Sequence, residues 1–148
     1  MKRISVLAFA FLAALSASAM AENPFLAKNR QIVRDFYDAA LNKKDFEAAS
    51  RYLGPRYVQH HPEAADGREG LKAYVDHLRE KFPNSRSVIM RSVAEGNYVV
   101  VHVHATRVPG ERGTAIIDIF KLEDGKIVEH WDVLQPVPEK AANKNGMF

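Results

Sequence analysis

The stretch Thr114–Pro136, TAIIDIFKLEDGKIVEHWDVLQP, decides the fold of this chain. Apolar and polar residues alternate through both halves of the stretch, and Glu123–Gly125 lies between them. This pattern predicts a β-hairpin. Because successive side chains of a strand point to opposite faces, the length of the turn decides which residues share a face.

Two turn lengths fit the sequence. A two-residue turn pairs Leu122 with Ile127. A three-residue turn that is closed by a G1 bulge pairs Leu122 with Lys126 instead. We favour the three-residue turn, because a lysine after the glycine suits the bulge and because this register places Asp118 opposite His130.

The favoured register divides the hairpin into two faces. One face gathers the polar residues and consists of Ile116, Asp118, Phe120, Val128, His130, Asp132 and Leu134. The other face consists of Ile117, Ile119, Ile127, Glu129, Trp131 and Val133. Two carboxylates and an imidazole on an otherwise apolar face are costly to bury unless they are paired or solvated. They indicate either a functional site or a cross-strand ion pair on a wet surface.

Residues 1–21, MKRISVLAFAFLAALSASAMA, have the features of a secretory signal peptide. Lys2 and Arg3 precede an apolar run, and small residues ending at Ala21 form the predicted cleavage site. The run is too short for a spanning helix, which needs about 20 residues. We therefore expect a periplasmic or secreted protein without stable membrane anchoring. A retained membrane anchor is the alternative.

The composition excludes several classes of function. Without Lys2 and Arg3, the chain carries 19 basic and 18 acidic residues. It has no basic stripe with interleaved aromatic residues, so we expect no nucleic-acid partner. The absence of cysteine excludes a thiolate nucleophile and a zinc–thiolate site. There is also no glycine-rich phosphate loop and no GxSxG sequence.

The predicted helices precede most of the predicted strands. Asn23-Pro24, Asp45 and Asp66 are the residue types expected before the first turn of a helix. Periodicity then predicts helices over 24–41, 46–53 and 67–82, an extended segment at 57–62, and strands over 86–94, 98–107 and both halves of the hairpin. This order predicts one α+β domain with three N-terminal helices packed on one face of a curved antiparallel sheet.

The sheet face away from the helices is also apolar. We expect it to carry Ile117, Ile119, Trp131 and Val133, with Val99, Val101 and Val103 beside them. No predicted helix remains to cover this face, and a large exposed apolar patch usually marks an interface. The sequence therefore predicts a homodimer through the open sheet face.

Four segments of the chain resemble the SnoaL-like proteins of the nuclear transport factor 2 and ketosteroid isomerase superfamily. These segments are Tyr57–His60, Asp66-Gly67, Asp118–Phe120 and Asp124–Gln135. The resemblance implies a cone-shaped, cystatin-like fold over residues 22–137, with a pocket between the helices and the sheet. Residues 138–148 are expected to form a flexible tail.

Polyketide cyclases of the SnoaL-like group close a ring by intramolecular aldol condensation, whereas many other members have no assigned reaction. The cyclases use neither metal nor Schiff base, so the resemblance implies no cofactor. They use a pocket aspartate on a late strand as acid and base. Asp132 is the most similar position in this sequence.

The residues themselves are compatible with proton transfer on a small, apolar, carbonyl-bearing ligand. Removing a proton next to a carbonyl requires a base and a donor to the developing enolate oxygen. Burial disfavours the charged form of a carboxylate, so Asp132 or Asp118 is a credible base. His130 would orient one of them or carry the proton. The donor would be His102 or His104, if their face of the strand lines the pocket, or else His60.

The ligand-binding candidates are His60, Tyr57, His104, Phe120 and Leu134. The resemblance places His60 at the mouth of the cone, and in an extended segment Gln59 and His61 would then point away from it. Tyr57 and also Tyr37 would present a hydroxyl group, unless both are core residues with wet tips. Phe120 and Leu134 would be apolar lining.

Two alternatives remain open. A non-catalytic periplasmic ligand-binding or interaction domain would use the same pocket. His60, His102, His104, His130, Asp118 and Asp132 also permit a metal site with two histidines and one carboxylate. No HExxH sequence supports a metal, and the resembling family works without one, so we expect no metal.

Overall fold

The computed structural model describes residues 23–148, which form an α+β domain of helices packed on a five-stranded sheet. The elements are α1 (Pro24–Tyr37), a π-helical turn (Asp38–Asn42), α2 (Phe46–Ser50), β1 (Leu53–Gln59), α3 (Gly67–Lys81), β2 (Arg86–Glu95), β3 (Tyr98–Thr106), β4 (Thr114–Glu123) and β5 (Lys126–Pro136). The predicted signal peptide and its cleavage site lie outside the described residues. No helix within 23–148 is long and apolar enough to cross a membrane.

The three predicted helix starts are confirmed by their capping hydrogen bonds. The side chains of Asn23, Asp45 and Asp66 accept from the backbone N–H groups of Phe25, Ala48 and Gly67. The predicted ends of the first two helices are wrong. The first helix winds into the π-helical turn after Tyr37, and the second stops early because the backbone carbonyl of Tyr52 accepts a hydrogen bond from the N–H of Ile127.

The strands lie in the order β1-β5-β4-β3-β2. All neighbouring pairs are antiparallel except β1 and β5, which are parallel. The expectation of a purely antiparallel sheet is therefore wrong at this edge. The extended segment before His60 is itself a strand, and it is joined to the rest of the sheet through α3, a connection long enough for parallel pairing.

The hairpin register differs from the predicted one. Asp124 and Gly125 both have positive φ, 50° and 71°, which is the geometry of a two-residue type I′ turn. Leu122 accordingly pairs with Ile127, and an extra residue, Val128, then shifts the register by one. Because Ile127 is paired with the buried Leu122, it lies in the core. Its predicted position on the open face is therefore wrong.

The bulge also decides which polar residues are opposite each other. After Val128, Phe120 pairs with His130 and Asp118 pairs with Asp132. The predicted pairing of Asp118 with His130 is therefore wrong. The two aspartates and His130 nevertheless share one face of the sheet, as predicted, because the two-residue turn and the bulge together restore the expected alternation.

The core lies between the helices and the face of the sheet that carries Phe120. Val99, Val101 and Val103 are completely buried in it. Their predicted position on the open face is wrong, because Val101 pairs with Asp118 and the three valines therefore share the face of that aspartate.

The opposite face of the sheet carries exposed apolar side chains. Val93, Tyr98 and Val133 are 62%, 45% and 67% exposed. Residues 137–148 contain no helix or strand. Their last residue, Phe148, lies on this face, with its ring centroid 5.4 Å from that of His102 and 4.3 Å from that of His104.

Candidate functional site

A cavity of about 440 Å³ lies between the helices and the sheet. This volume is within the usual range of small-molecule sites. Much of the lining is apolar and includes Phe36, Leu41, Leu71, Leu78, Ile116 and Phe120. Polar side chains from β1, β4 and β5 converge in one part of the lining, as is typical of a pocket that orients its ligand.

The cavity contains a buried pair of polar residues, Asp118 and His130, which are 5% and 7% exposed. Asp118 Oδ1 lies 2.9 Å from His130 Nε2. Asp118 Oδ2 accepts a hydrogen bond from the hydroxyl of Tyr37 at 3.0 Å. Burial, and then the charge of Asp118, raises the pKa of Tyr37 well above its ordinary value, so this tyrosine acts as a donor.

Gln59 determines the protonation of His130. Its side-chain oxygen Oε1 accepts the backbone N–H of His61 at 2.9 Å, which fixes the orientation of the amide. The same oxygen lies 2.9 Å from His130 Nδ1. Since a carbonyl oxygen can only accept, His130 Nδ1 must carry a hydrogen.

A second proton then lies between His130 Nε2 and Asp118 Oδ1, because two lone pairs would repel at that distance. The pair is either an imidazolium with a carboxylate or a neutral imidazole with a carboxylic acid. In both cases the pair has no net charge. Both oxygens of Asp118 and both ring nitrogens of His130 have a hydrogen-bond partner.

Asp132 belongs to a different pair. Its Oδ1 lies 2.7 Å from His61 Nδ1, and its side chain is 11% exposed. Both residues line the cavity. Within 23–148, neither the second carboxylate oxygen of Asp132 nor His61 Nε2 forms a further hydrogen bond. These two atoms are therefore available to a ligand.

Tyr57 supplies a hydroxyl group to the same part of the cavity. Its oxygen accepts a hydrogen bond from Gln59 Nε2 at 3.1 Å. Burial raises the pKa of Tyr57, and the charges of Asp118 and Asp132 raise it further. The hydroxyl therefore remains neutral, and its own hydrogen is available for donation.

The structure brings most of the predicted acid and base residues together. Asp118, His130 and Asp132 each offer an atom within 4.8 Å of the others. Tyr57 and Phe120 also line the cavity, as expected. Leu134 does not line the cavity and is 46% exposed, because the end of β5 extends beyond the part of the sheet that the helices cover.

His102 and His104 lie on the opposite face of the sheet, so their predicted positions in the pocket are wrong. His102 pairs with Ile117 and therefore points away from Asp118. Its Nδ1 lies 3.1 Å from Arg91 Nη1. His104 Nε2 donates to the backbone carbonyl of Arg112 at 2.8 Å.

His60 also lies outside the cavity, contrary to expectation. Its ring stacks on Trp131 with a centroid separation of 4.7 Å, and its Nε2 lies 2.9 Å from Glu129 Oε1. Gln59 and His61, which were expected to point away, line the cavity. The sequence already indicates which residues of this segment share a face. Tyr57, Gln59 and His61 occupy every second position, so in an extended chain they point to the same side, and His60 points to the other.

Only three of the six residues considered as metal ligands lie close together. Asp118, His130 and Asp132 could approach a cation together. Both nitrogens of His130 are already hydrogen-bonded, to Asp118 and Gln59. A metal would have to replace the bond between His130 and Asp118, and His102 and His104 are on the wrong face to complete the site.

Known structures share this fold. TsrD from Streptomyces laurentii is 24% identical, with a TM-score of 0.62 over 73% of this chain and 88% of that one. A candidate polyketide cyclase from Bacillus cereus is 23% identical, with a TM-score of 0.64 over 76% and 80% of the two chains. A candidate ketosteroid isomerase from Kribbella flavida is 18% identical, with a TM-score of 0.63 over 81% and 87%. At these identities the likeness shows the fold alone.

No curated protein matches the sequence significantly. The family model of the SnoaL-like domain matches residues 33–130. This segment contains the capped helix α3, four complete strands and the polar part of the cavity as far as His130. The resemblance seen in the sequence is thus confirmed, and the chain belongs to the SnoaL-like domain family.

Proposed function

We propose that this protein catalyses cofactor-free proton transfer next to the carbonyl group of a small, largely apolar molecule, in an aldol-type cyclisation or an isomerisation. One observation carries the proposal. Asp132 lines an apolar cavity with one carboxylate oxygen held by His61 at 2.7 Å, while its second oxygen has no hydrogen bond within the described chain. A carboxylate that is fixed but not saturated is suited to act as a general base.

In the proposed reaction, Asp132 removes a proton from the carbon next to the carbonyl. The electrons of the broken C–H bond form the enolate, and the hydroxyl of Tyr57 donates a hydrogen bond to its oxygen. In an isomerisation, protonated Asp132 then returns the proton to a different carbon of the enolate. In a cyclisation, the enolate carbon bonds to a second carbonyl carbon of the same molecule, the π bond of that carbonyl breaks, and Asp132 gives the proton to the resulting alkoxide oxygen. His61 holds the carboxylate in place during both steps, as an orienting partner does in other acid–base sites.

Asp118, His130 and Tyr37 have a supporting role in this proposal. Their hydrogen bonds satisfy one another, so none of them can accept a proton without first losing a buried contact. The pair of Asp118 and His130 is neutral as a unit, and it therefore adds no second negative charge next to Asp132. This supports the assignment of the base to Asp132 rather than to Asp118.

The experiment uses β-tetralone, an apolar ketone whose α-protons are acidic, in deuterated buffer. Proton NMR would follow the loss of the α-proton signal. We expect the wild-type protein to accelerate the exchange and Asp132→Asn to lose about 100-fold of this acceleration, with unchanged binding of the ketone. Asp76→Asn, which changes a carboxylate on the surface of α3, is the matched control. Equal exchange by Asp132→Asn and wild type would refute the assignment.

A non-catalytic ligand-binding domain is the second candidate. The observation that favours it is the mutual saturation of Tyr37, Asp118 and His130, which is the arrangement of a rigid scaffold. If the wild-type protein binds small ketones but accelerates exchange of none, and if Asp132→Asn retains the affinity, this second function replaces the first.

We also propose that the chain acts in the periplasm or outside the cell and that it forms a homodimer. Export is supported by the signal-peptide features of residues 1–21. The dimer is supported by the exposed apolar side chains of Val93, Tyr98 and Val133 on the sheet face that no helix of the described chain covers.

A further inference from the structure

The cavity has a second polar region, near the start of β2 and the end of β3. Arg86 pairs with Thr106 at the end of this ladder. The residues just beyond that pair are Ser85 and Arg107, and both line the cavity. Asp118 is opposite Val101, in the middle of β3, so this second region is separated from the His–Asp cluster along the sheet.

The hydroxyl group of Ser85 has no hydrogen-bond partner within the described residues. The residue is 5% exposed, and its hydroxyl Oγ is the one buried side-chain oxygen or nitrogen among residues 23–148 that lacks a hydrogen-bond partner. A buried hydroxyl without a partner costs roughly 1–3 kcal/mol. The Oγ is not accessible from the cavity in this conformation, but Ser85 lines the cavity, so a turn of the side chain would let a ligand atom complete the hydrogen bond.

Arg107, an exposed residue that also lines the cavity, provides a positive charge. Its guanidinium lies 5.7 Å from the ring centroid of Tyr74 and 5.4 Å from that of Phe82, and Nη2 donates to the hydroxyl of Tyr74 at 2.9 Å. The carboxylate of Glu111 accepts from the backbone N–H of Arg107. In the described part of the chain, no carboxylate forms an ion pair with the guanidinium itself.

Lys44 adds a second cation behind Ser85. It is 5% exposed, and its Nζ donates to the backbone carbonyl of Ser85 at 3.0 Å and to that of Asn42 at 3.3 Å. Burial lowers the pKa of Lys44, and the nearby charges of Arg86 and Arg107 lower it further. The cations thus repel one another here, and an anion in the cavity would offset that repulsion.

We propose that Ser85 and Arg107 bind the carboxylate group of an acidic ligand, with the guanidinium as its counter-ion and the Ser85 hydroxyl as a hydrogen-bond donor. Arginine suits this role because its planar group matches the geometry of a carboxylate and the two aromatic rings hold it in place. Two acidic residues of the lining, Asp118 and Asp132, are engaged with His130 and His61. Glu111 accepts from the backbone N–H of Arg107 and not from its guanidinium.

The site also defines a substrate class. If the proposed proton transfer at Asp132 is correct, the substrate is an apolar keto acid, with its carbonyl group at Asp132 and its carboxylate at Arg107. This step rests on the proposed function. The carboxylate site itself does not, because it depends only on Ser85, just before β2, and Arg107, just after β3.

The test compares decanoate with decanol, which has the same chain and no charge, by isothermal titration calorimetry. We expect the wild-type protein to bind decanoate about tenfold more tightly than decanol, because a charge-assisted hydrogen bond is stronger than a neutral one. Arg107→Gln should abolish this preference. Ser85→Ala should reduce it severalfold. Arg79→Gln, on the surface of α3, is the control.

Equal affinity of the wild-type protein for the two compounds, or an unchanged preference in both Arg107→Gln and Ser85→Ala, would overturn the proposal. Asp132→Asn separates this proposal from the catalytic one. It should keep the preference for decanoate even if β-tetralone exchange shows no role for Asp132.

Discussion

His130 Nε2 lies 2.9 Å from Asp118 Oδ1, although these residues are not opposite each other in the ladder between β4 and β5. Phe120 is opposite His130, and Asp132 is opposite Asp118. The imidazole therefore reaches its partner along the diagonal, which is within the reach of a long side chain. Since Asp118 is engaged in this way, Asp132 takes its hydrogen bond from a different element, the segment that follows β1.

The diagonal contact leads to a prediction about histidine tautomers. His130 Nδ1 must carry a hydrogen, because it faces the oxygen of Gln59. His104 provides an internal control, because its Nε2 faces the backbone carbonyl of Arg112 and must be the protonated nitrogen. Long-range ¹H–¹⁵N NMR spectra near neutral pH should show a protonated Nδ1 for His130 and a protonated Nε2 for His104. An unprotonated Nδ1 in His130 would contradict the inferred network.

The network also predicts the effect of removing the Asp118 carboxylate. Asp118→Ala removes both carboxylate oxygens, so the Tyr37 hydroxyl and His130 Nε2 both lose their buried partner. We expect the free energy of unfolding to fall by about 2–4 kcal/mol, because buried polar partners are left unsatisfied. Urea denaturation followed by circular dichroism would measure it.

The control for this measurement is Asp35→Ala. Asp35 accepts a hydrogen bond from Gln31 on the surface of α1, and the loss there should be within about 0.5 kcal/mol. If the two variants are equally stable, the buried network contributes little, and the supporting role given to Asp118 fails.

The sequence predicted the elements of the fold well because they follow from local patterns. The capping residues Asn23, Asp45 and Asp66 all occupy their predicted positions. The polar cluster of Asp118, His130 and Asp132 was also predicted, because charged groups on an apolar strand face are unusual whatever the exact pairing. These inferences need no knowledge of distant contacts.

The side of the sheet that faces the helices was harder to predict for β3. Its alternate positions hold valines on one face and His102 and His104 on the other, so both assignments produce a plausible pocket wall. Burial of Val101 under the helices decides the matter, and that is a tertiary contact. Ser85, by contrast, has no sequence signal at all, since its significance lies in the missing partner of its hydroxyl.

Tyr37 predicts loss of stability at alkaline pH. Burial raises its pKa above the ordinary value of about 10, so the folded state holds this proton more tightly than the unfolded state does. The resulting stabilisation is complete below about pH 10 and is lost as the pH rises from there through the higher pKa of the folded state. Tyr57 contributes in the same direction.

Tyr37→Phe tests this prediction, because it keeps the ring that packs edge-on against Phe120 and removes the titrating hydroxyl. Above about pH 10, the wild-type free energy of unfolding should fall more steeply than that of Tyr37→Phe, by up to about 1.4 kcal/mol per pH unit. Tyr98→Phe, which removes an exposed hydroxyl, is the control. Parallel curves for wild type and Tyr37→Phe would exclude a buried, protonated Tyr37.

The open sheet face predicts a dimer that a single charge can break. Val133 is 67% exposed on this face, next to Ile117 in the ladder. Val133→Lys would place an ammonium group in an apolar interface, where an unpaired charge is strongly unfavourable. Light scattering should therefore give twice the chain mass for the wild-type protein and the single chain mass for Val133→Lys. Val108→Lys, at a similarly exposed valine in the loop between β3 and β4, should remain dimeric. A monomeric wild-type protein, or a loss of the dimer in Val108→Lys alone, would mean that the open face is not the interface.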